Sequence, residues 1–332
     1  MSEIVTQEMR AMLAKAGSLD PADALPAMRF IAKALTTPLR EGLLAGDIVT
    51  DIFGPVDLTP GQPSEFPLDF LPPGTQKDYI AYTIPRHGRI PESHVEGDYV
   101  MVPVYDIGNS IDWLLKYSEQ ARWDVVERAM RVFEAGFVKK TNDDGWHTLL
   151  YAGLDRNIIV YDSDAGSGQF TKRVISLMKT VMARQGGGNT ATPNKSKLTD
   201  LYVSPESIED MRNWGVDIVD EFTRREIFVS AEGSFTRIFN VNLHDIFELG
   251  EGQEYQLFYQ NALGGSLQSN DVELMLGLDL SKNDSFIMPS YRREVQVFED
   301  ANLHRQQRHG IYGWKNQGFG VLDNRRIILG SC

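Results

Sequence analysis

Apolar residues in this chain recur at helical spacing in some stretches and at strand spacing in others. Ala24, Leu25, Met28, Ile31 and Leu35 form one helical stripe, bounded by Pro21 and Pro38. Ile48 to Phe53 is a short apolar run that reads as a strand. From Ile111 to Lys140, Leu114, Tyr117, Ala121, Val125, Ala129, Val132 and Gly136 step by three or four. Trp113, Val126, Met130, Phe133 and Phe137 widen that stripe, so the pattern predicts one long amphipathic helix. Asn109 or Ser110 is placed to cap its start, Lys139 and Lys140 suit its negative end, and Asp144-Gly145 is expected to stop it. A second helical piece, Trp146 to Ala152, follows.

Before this helix the pattern breaks down. Nine of the fifteen prolines lie between Pro55 and Pro103. Proline fixes φ and removes a donor, so Gly54 to Gly74 is expected to hold neither helix nor central strand. Tyr79 to Ile84 and Tyr99 to Val104 read as the two strands of a long hairpin around a polar tip, Arg86 to Asp98. A two-stranded ribbon is marginal in water and needs a surface to lie on.

After Asn157 the texture is mixed α and β. Ile158 to Tyr161 reads as a strand, and Phe170 to Met182 as a helix ended by Gly186-Gly187-Gly188. Gln185 to Lys197 reads as a loop. Leu201-Tyr202-Val203 is a strand, and Ser204-Pro205 opens a helix with serine as cap and proline at its first position. Short strands are expected around Phe235, Tyr255 and Glu273. Four more follow at Glu294 to Phe298, Gly310 to Trp314, Gly318 to Leu322 and Arg326 to Leu329. There is no internal repeat.

Charge and cysteine usage narrow the function classes. The net charge of −13 leaves no reservoir of Lys and Arg for a broad phosphate-gripping face. The single cysteine, Cys332, forbids an intrachain disulfide and a thiolate zinc site, and it reads as a frayed terminal thiol. The first residues carry no signal-peptide pattern, and no run approaches the ~20 apolar residues of a membrane span. Synthesis and assembly in a cytoplasm are expected.

Motifs for chemistry fail on inspection. Asp162-Ser163-Asp164-Ala165-Gly166 begins like a calcium loop, but Gly166 and Arg173 occupy positions that need oxygens. A turn between strand and helix is the expectation there. Gly166-Ser167-Gly168 lacks the third glycine and the later acidic residue of a dinucleotide fingerprint. His87, His94, His147, His244, His304 and His309 do not share a metal-ligating spacing. Asp143-Asp144 reads as part of a helix-ending turn. No catalytic, cofactor-binding or metal-binding residue is assigned, and no cofactor is expected.

The order of elements resembles the major capsid proteins of tailed bacteriophages, whose Hong Kong 97-type fold is shared with encapsulins. The resemblance runs from about residue 40 to the end. It rests on the order of a Pro-rich extended loop, a long helix running into Trp146 to Gly153, the Tyr202-Val203-Ser204-Pro205 step, and the tail runs Val295 to Phe298, Phe319 to Asp323 and Ile327 to Gly330. It implies an α+β capsid fold with an N-terminal arm at 1–53, an extended loop at 54–98, and a peripheral domain with its spine helix at 99–156. An axial domain at 157–288 and return strands completing the peripheral domain at 289–332 follow.

It also implies a non-enzymatic subunit that self-assembles into pentamers and hexamers of an icosahedral virion shell around double-stranded DNA, in a host bacterial cytoplasm. Itself, a portal, a separate scaffolding protein and a decoration protein are the implied partners, with no membrane and no sequence-specific DNA contact. Some members carry a long, cleaved N-terminal scaffolding segment. Here about 40 residues precede the core, so a separate scaffold or none is expected. Some members cross-link Lys to Asn; Lys77 lies in the extended loop, with no partner assigned. An encapsulin-like compartment is the near alternative, and a soluble α/β enzyme with a lid at 54–97 is the alternative from another class.

Overall fold

The computed structural model describes residues 48–68, 98–116, 123–185, 196–214, 236–268, 271–281 and 284–332. A short helix α1 (Ile48–Ile52) leads into β1 (Gly54–Asp57). Next come β2 (Glu65–Leu68), β3 (Asp98–Met101), β4 (Tyr105–Leu114) and the long helix α2 (Trp123–Asp155). The mixed region holds β5 (Ile159–Val160), α3 (Lys172–Gln185), β6 (Asp200–Val203), α4 (Pro205–Asn213), β7 (Thr236–Ile238) and β8 (Val241–Asp245). Helix α5 (Glu254–Leu257) continues into a π-helical turn, Phe258–Ala262. The tail carries β9 (Leu274–Leu278), β10 (Phe286–Ser290), β11 (Gln296–Glu299), β12 (Arg308–Gln317), β13 (Gly320–Val321) and β14 (Ile327–Ser331).

The largest sheet has the order β5-β14-β9-β6-β8-β7 and is mixed, with β6/β8 and β14/β5 parallel. Its central strands are buried on both faces, so they read as near-continuous apolar runs. Alternate residues serve the two faces. Leu201, Val203, Met275 and Ile328 pack with Val174, Ile175, Met178 and Met182 of α3 and with Met211 and Trp214. Tyr202, Leu274, Leu276, Ile327 and Leu329 pack with Val49 and Ile52 of α1, Trp146, Leu149 and Leu150 of α2, and Tyr255. The Ser204 cap and Pro205 start of α4 are as the sequence predicts, with Ser204 Oγ accepting from the Ser207 amide.

The second main sheet has the order β11-β12-β4 and is antiparallel. Its inner face includes Ile107, Trp113 and Ile311, and Phe133 and Phe137 of α2 lie in T-shaped contact at 5.2 Å. Thus α2, about 50 Å long at 1.5 Å per residue, spans both sheets. A polar clamp sits where it passes between them. The Lys315 ammonium donates to the Thr141 hydroxyl at 2.6 Å, and both residues are buried. Gln317 donates to Asp144 at 3.3 Å, and Asp144 also accepts from Tyr105 at 2.7 Å and Lys140 at 2.7 Å.

Several sequence expectations are corrected. The predicted helix over Ile111–Lys140 is a strand through Leu114, and α2 begins at Trp123. Ile107, Ile111 and Trp113 fit a two-residue alternation equally well, and ten residues of pairing with β12 decide for strand. Asn109 therefore does not cap a helix; its side chain donates to the Phe133 carbonyl at 3.1 Å. Asp144-Gly145 does not end α2, which absorbs Trp146 to Ala152. Gly145 stands inside the helix because a Cβ there would lie 2.3 Å from Val49 Cγ1. Ile48–Ile52 is helix, not strand, and Tyr255 lies in α5, not in a strand. Strand β14 joins the six-stranded sheet rather than the sheet of β4, β11 and β12. The partner of β3 is β2, and the sheet position of β1 is at an edge, where its proline is tolerated. Tyr79–Ile84, Gly186 to Lys195 and Phe235 lie outside the described residues.

Two outcomes test this packing. Gly145→Ala gains about 1 kcal/mol of helix propensity but forces Val49 aside, at a typical cost of about 1–3 kcal/mol. It is expected to lower the urea midpoint, and Val49→Ala in that background is expected to cost less than it does alone. Thr141→Val removes the hydroxyl that Lys315 donates to and is expected to cost about 1–3 kcal/mol in the same assay.

Candidate functional site

Among the described residues, the Asp162–Gly166 loop, His147, His244, Asp144 and Cys332 take part in packing and hydrogen bonding. The Asp162–Gly166 stretch is a turn. Asp162 accepts from the Asp164 amide at 3.2 Å and from the Thr171 hydroxyl at 2.9 Å, and Arg173 bridges Asp162 and Asp164. Arg173 thus closes the loop onto α3 with the very side chain that replaces a calcium ligand. Among the described residues no group of three or more His, Cys, Asp or Glu is placed to hold a metal.

The histidines are dispersed. His147 stacks on Phe258 at 3.6 Å, and burial holds its pKa below the ordinary value. His244 bonds Asp200 at 2.9 Å and stacks on Tyr202 at 4.7 Å. Burial alone would raise the Asp200 pKa, but hydrogen bonds from His244, Thr199 and Asn242 outweigh it, and the carboxyl lies below the usual range. His309 is buried in the β12 sheet. His87, His94 and Lys77 lie outside the described residues.

Asp143 and Asp144 sit in mid-helix on α2, not in a terminal turn. Asp144 belongs to the clamp. Asp143 borders an open cleft of about 420 Å³ with Arg131, Glu134, Lys139 and Glu248. It accepts from the Tyr255 hydroxyl at 3.2 Å, and burial with the nearby Glu254 carboxylate raises its pKa. Lys139 and Glu254 form an exposed pair at 3.1 Å, of a kind that contributes little. The cleft brings together carboxylates and cations but no Ser, Cys or Thr nucleophile among its lining residues.

Cys332 is not frayed. It is 3% exposed, and its carbonyl accepts from the Val272 and Glu273 amides at 2.7 and 2.9 Å. Its thiol lies 3.9 Å from the Ser207 hydroxyl. Ser204 and Ser207 both donate to Glu273, a buried carboxylate. Burial, with Glu273 adding to it, pushes the Cys332 thiol up to about 12. A neutral, enclosed thiol is a packing group, not a nucleophile. Composition gave no sign of this, because its enclosure depends on pairing between residues far apart in sequence.

Exposed aromatic and apolar side chains lie on several faces of the described residues. On the outer face of the β11-β12-β4 sheet, Phe298 stacks on Tyr312 at 5.6 Å and on Trp314 at 6.4 Å, with Arg292 4.8 Å above the Trp314 ring. The β2–β3 ribbon exposes Tyr99 and Met101, at 65% and 66%. Phe239 and Phe247 are exposed beyond the two ends of β8. No helix among the described residues is long and apolar enough to cross a membrane.

No protein-family model matches the chain, and no curated protein matches it. Solved structures do. The capsid of cyanophage Pam1 matches with a TM-score of 0.58 at 12% identity, over 84% of this chain and 88% of the other. The capsid of cyanophage P-SCSP1u matches at 0.56 and 10% identity, over 86% and 88%. The acid-stable capsid of Helicobacter pylori bacteriophage KHP30 matches at 0.54 and 11%, over 86% and 91%. The chain has the α+β, Hong Kong 97-type capsid fold.

The burial of Cys332 is testable directly. In the native chain it is expected to resist maleimide at pH 8 and to react fully in denaturant. The unfolded thiol has an ordinary pKa of about 8.5, so the unfolded state loses its proton first. Stability contributed by the thiol's burial is therefore present below about pH 9 and declines as pH rises towards the folded value. Cys332→Ser is expected to flatten that decline in denaturation curves taken from pH 8 to 10.

Proposed function

We propose that this chain is the major capsid protein of a tailed bacteriophage. It assembles as pentamers and hexamers into a closed icosahedral shell around double-stranded DNA. The observation that carries this reading is the fold, matched to phage capsid structures over most of both chains. The exposed β2–β3 ribbon and the separate aromatic faces support it, because a two-stranded ribbon gains stability only against another surface. Large obligate interfaces can bury several thousand Å².

In this reading α2 is the spine of a peripheral region built on β4, β11 and β12. The six-stranded sheet with α3 and α4 forms the axial region, and residues 54–98 form the loop that reaches neighbouring copies. The region at 289–332 then divides, because β14 belongs to the axial sheet. The role is structural rather than catalytic. The partners are further copies, with a portal, a separate scaffolding protein and a decoration protein in the same assembly pathway. The net charge of −13 suits a wall that encloses DNA without gripping it. The shell is built in the host cytoplasm and ends in the virion.

Negative-stain imaging of the purified chain is expected to show closed shells. Deleting residues 72–93 is expected to leave a subunit with unchanged circular dichroism that no longer forms stable shells. Shells of normal stability from the deletion variant would show that the loop has no part in assembly, and a chain that stays monomeric or dimeric in all assembly buffers would contradict the capsid role.

A further inference from the structure

The β7–β8 hairpin closes with a two-residue turn, Phe239-Asn240, in which both residues have positive φ, +50° and +66°. Such turns favour Asn-Gly because the left-handed region is costly for residues with a Cβ, and a bulky aromatic there is an outlier. The turn is held from both sides. Lys179 of α3 donates to the Phe239 carbonyl, and Arg237 donates to the Asn240 side chain. The phenyl ring is only half covered within the subunit, with Phe239 50% exposed while the flanking Ile238 and Val241 are buried. Strain retained for an exposed aromatic points to a contact outside the subunit.

Beside the turn, the outer face of α3 borders an open groove of about 380 Å³ lined by Ser176, Lys179, Thr180, Ala183 and Arg184. These residues stand three and four apart and share one face of α3. A knob and a groove at different places on one chain are the elements of a head-to-tail contact between copies, which forms a closed ring when the rotation between copies closes. Because Lys179 touches both features, a small displacement carries one copy's knob to the next copy's groove. That condition holds close to a ring's axis. Strand β7 is also the outer strand of its sheet among the described residues, so the hairpin stands at an edge.

We infer that Phe239 of one copy seats in the α3 groove of the next copy, near the axis of each capsomer ring, and that the turn is kept strained to present it. The inference rests on the capsid reading above and names one of its contacts.

The test uses the full chain in a light-scattering assembly assay over a range of subunit concentrations. Phe239→Gly relieves the turn, so it is expected to raise the Tm of the unassembled subunit by a few degrees. It is also expected to raise the assembly threshold roughly tenfold or more, as loss of an aromatic anchor does. Thr180→Trp, at an exposed position, fills the groove and is expected to raise the threshold without lowering the Tm. The double variant is expected to be no worse than the weaker single variant, because each removes the same contact. Wild-type shells with unchanged thresholds in both variants would overturn the inference, as would strictly additive effects. A wild-type chain that never assembles would overturn the capsid reading and this contact with it.

Discussion

Helix α2 is too long for either main sheet to bury alone, and its position across both sets the shape of the subunit. Its first half holds Phe133 against Gly313 of β12 with Phe137 beside it, and its last turns hold Leu149 and Leu150 in the core of the six-stranded sheet. Between these apolar contacts lies the clamp of Lys315, Thr141, Gln317, Asp144 and Tyr105. A buried ammonium is costly unless it is bonded, so the clamp tolerates few other relative placements of helix and sheet. Apolar packing gives the helix its affinity for the two sheets; the clamp fixes its register along them.

That register has consequences at both ends of the subunit. The close approach of α1 at Gly145, and of Leu329 at Gly153, brings the start of the described chain and its last strand onto the same helix. The final residues are then enclosed by Glu273, Ser207 and the main chain of Val272. In the proposed capsid role, such a chain is held fixed where its sheets and helix meet while its exposed ribbon and edge hairpin stay open to neighbouring copies. Such a division of labour suits assembly, because many contacts of modest strength add only if each subunit presents them in fixed relative positions.

The sequence showed the fold class but misplaced several boundaries, for identifiable physical reasons. Ser204-Pro205 was legible because capping and proline geometry are local. The α3 stripe was legible because one helix face is buried and the other is not. Ile107 to Trp113 was not, since a few apolar residues fit both periods until β12 supplies the pairing. Gly145 looked like a stop because its meaning lies in Val49, almost a hundred residues earlier. Cys332 looked like a loose end because its partners, Ser207 and Glu273, are contributed by other elements. The exposed apolar surfaces were visible only in outline: the Pro-rich stretch marked the ribbon, but nothing local marked the Phe298–Tyr312–Trp314 strip or the strained Phe239 turn.

Sedimentation velocity of the purified full chain across a wide range of concentrations puts the proposed capsid role to the test. A sharp threshold is expected, above which mass moves from subunits or capsomers into one very large, closed species with little between them. Subunits that remain monomers or dimers at every concentration, or that grow without limit into polydisperse aggregates, would contradict it.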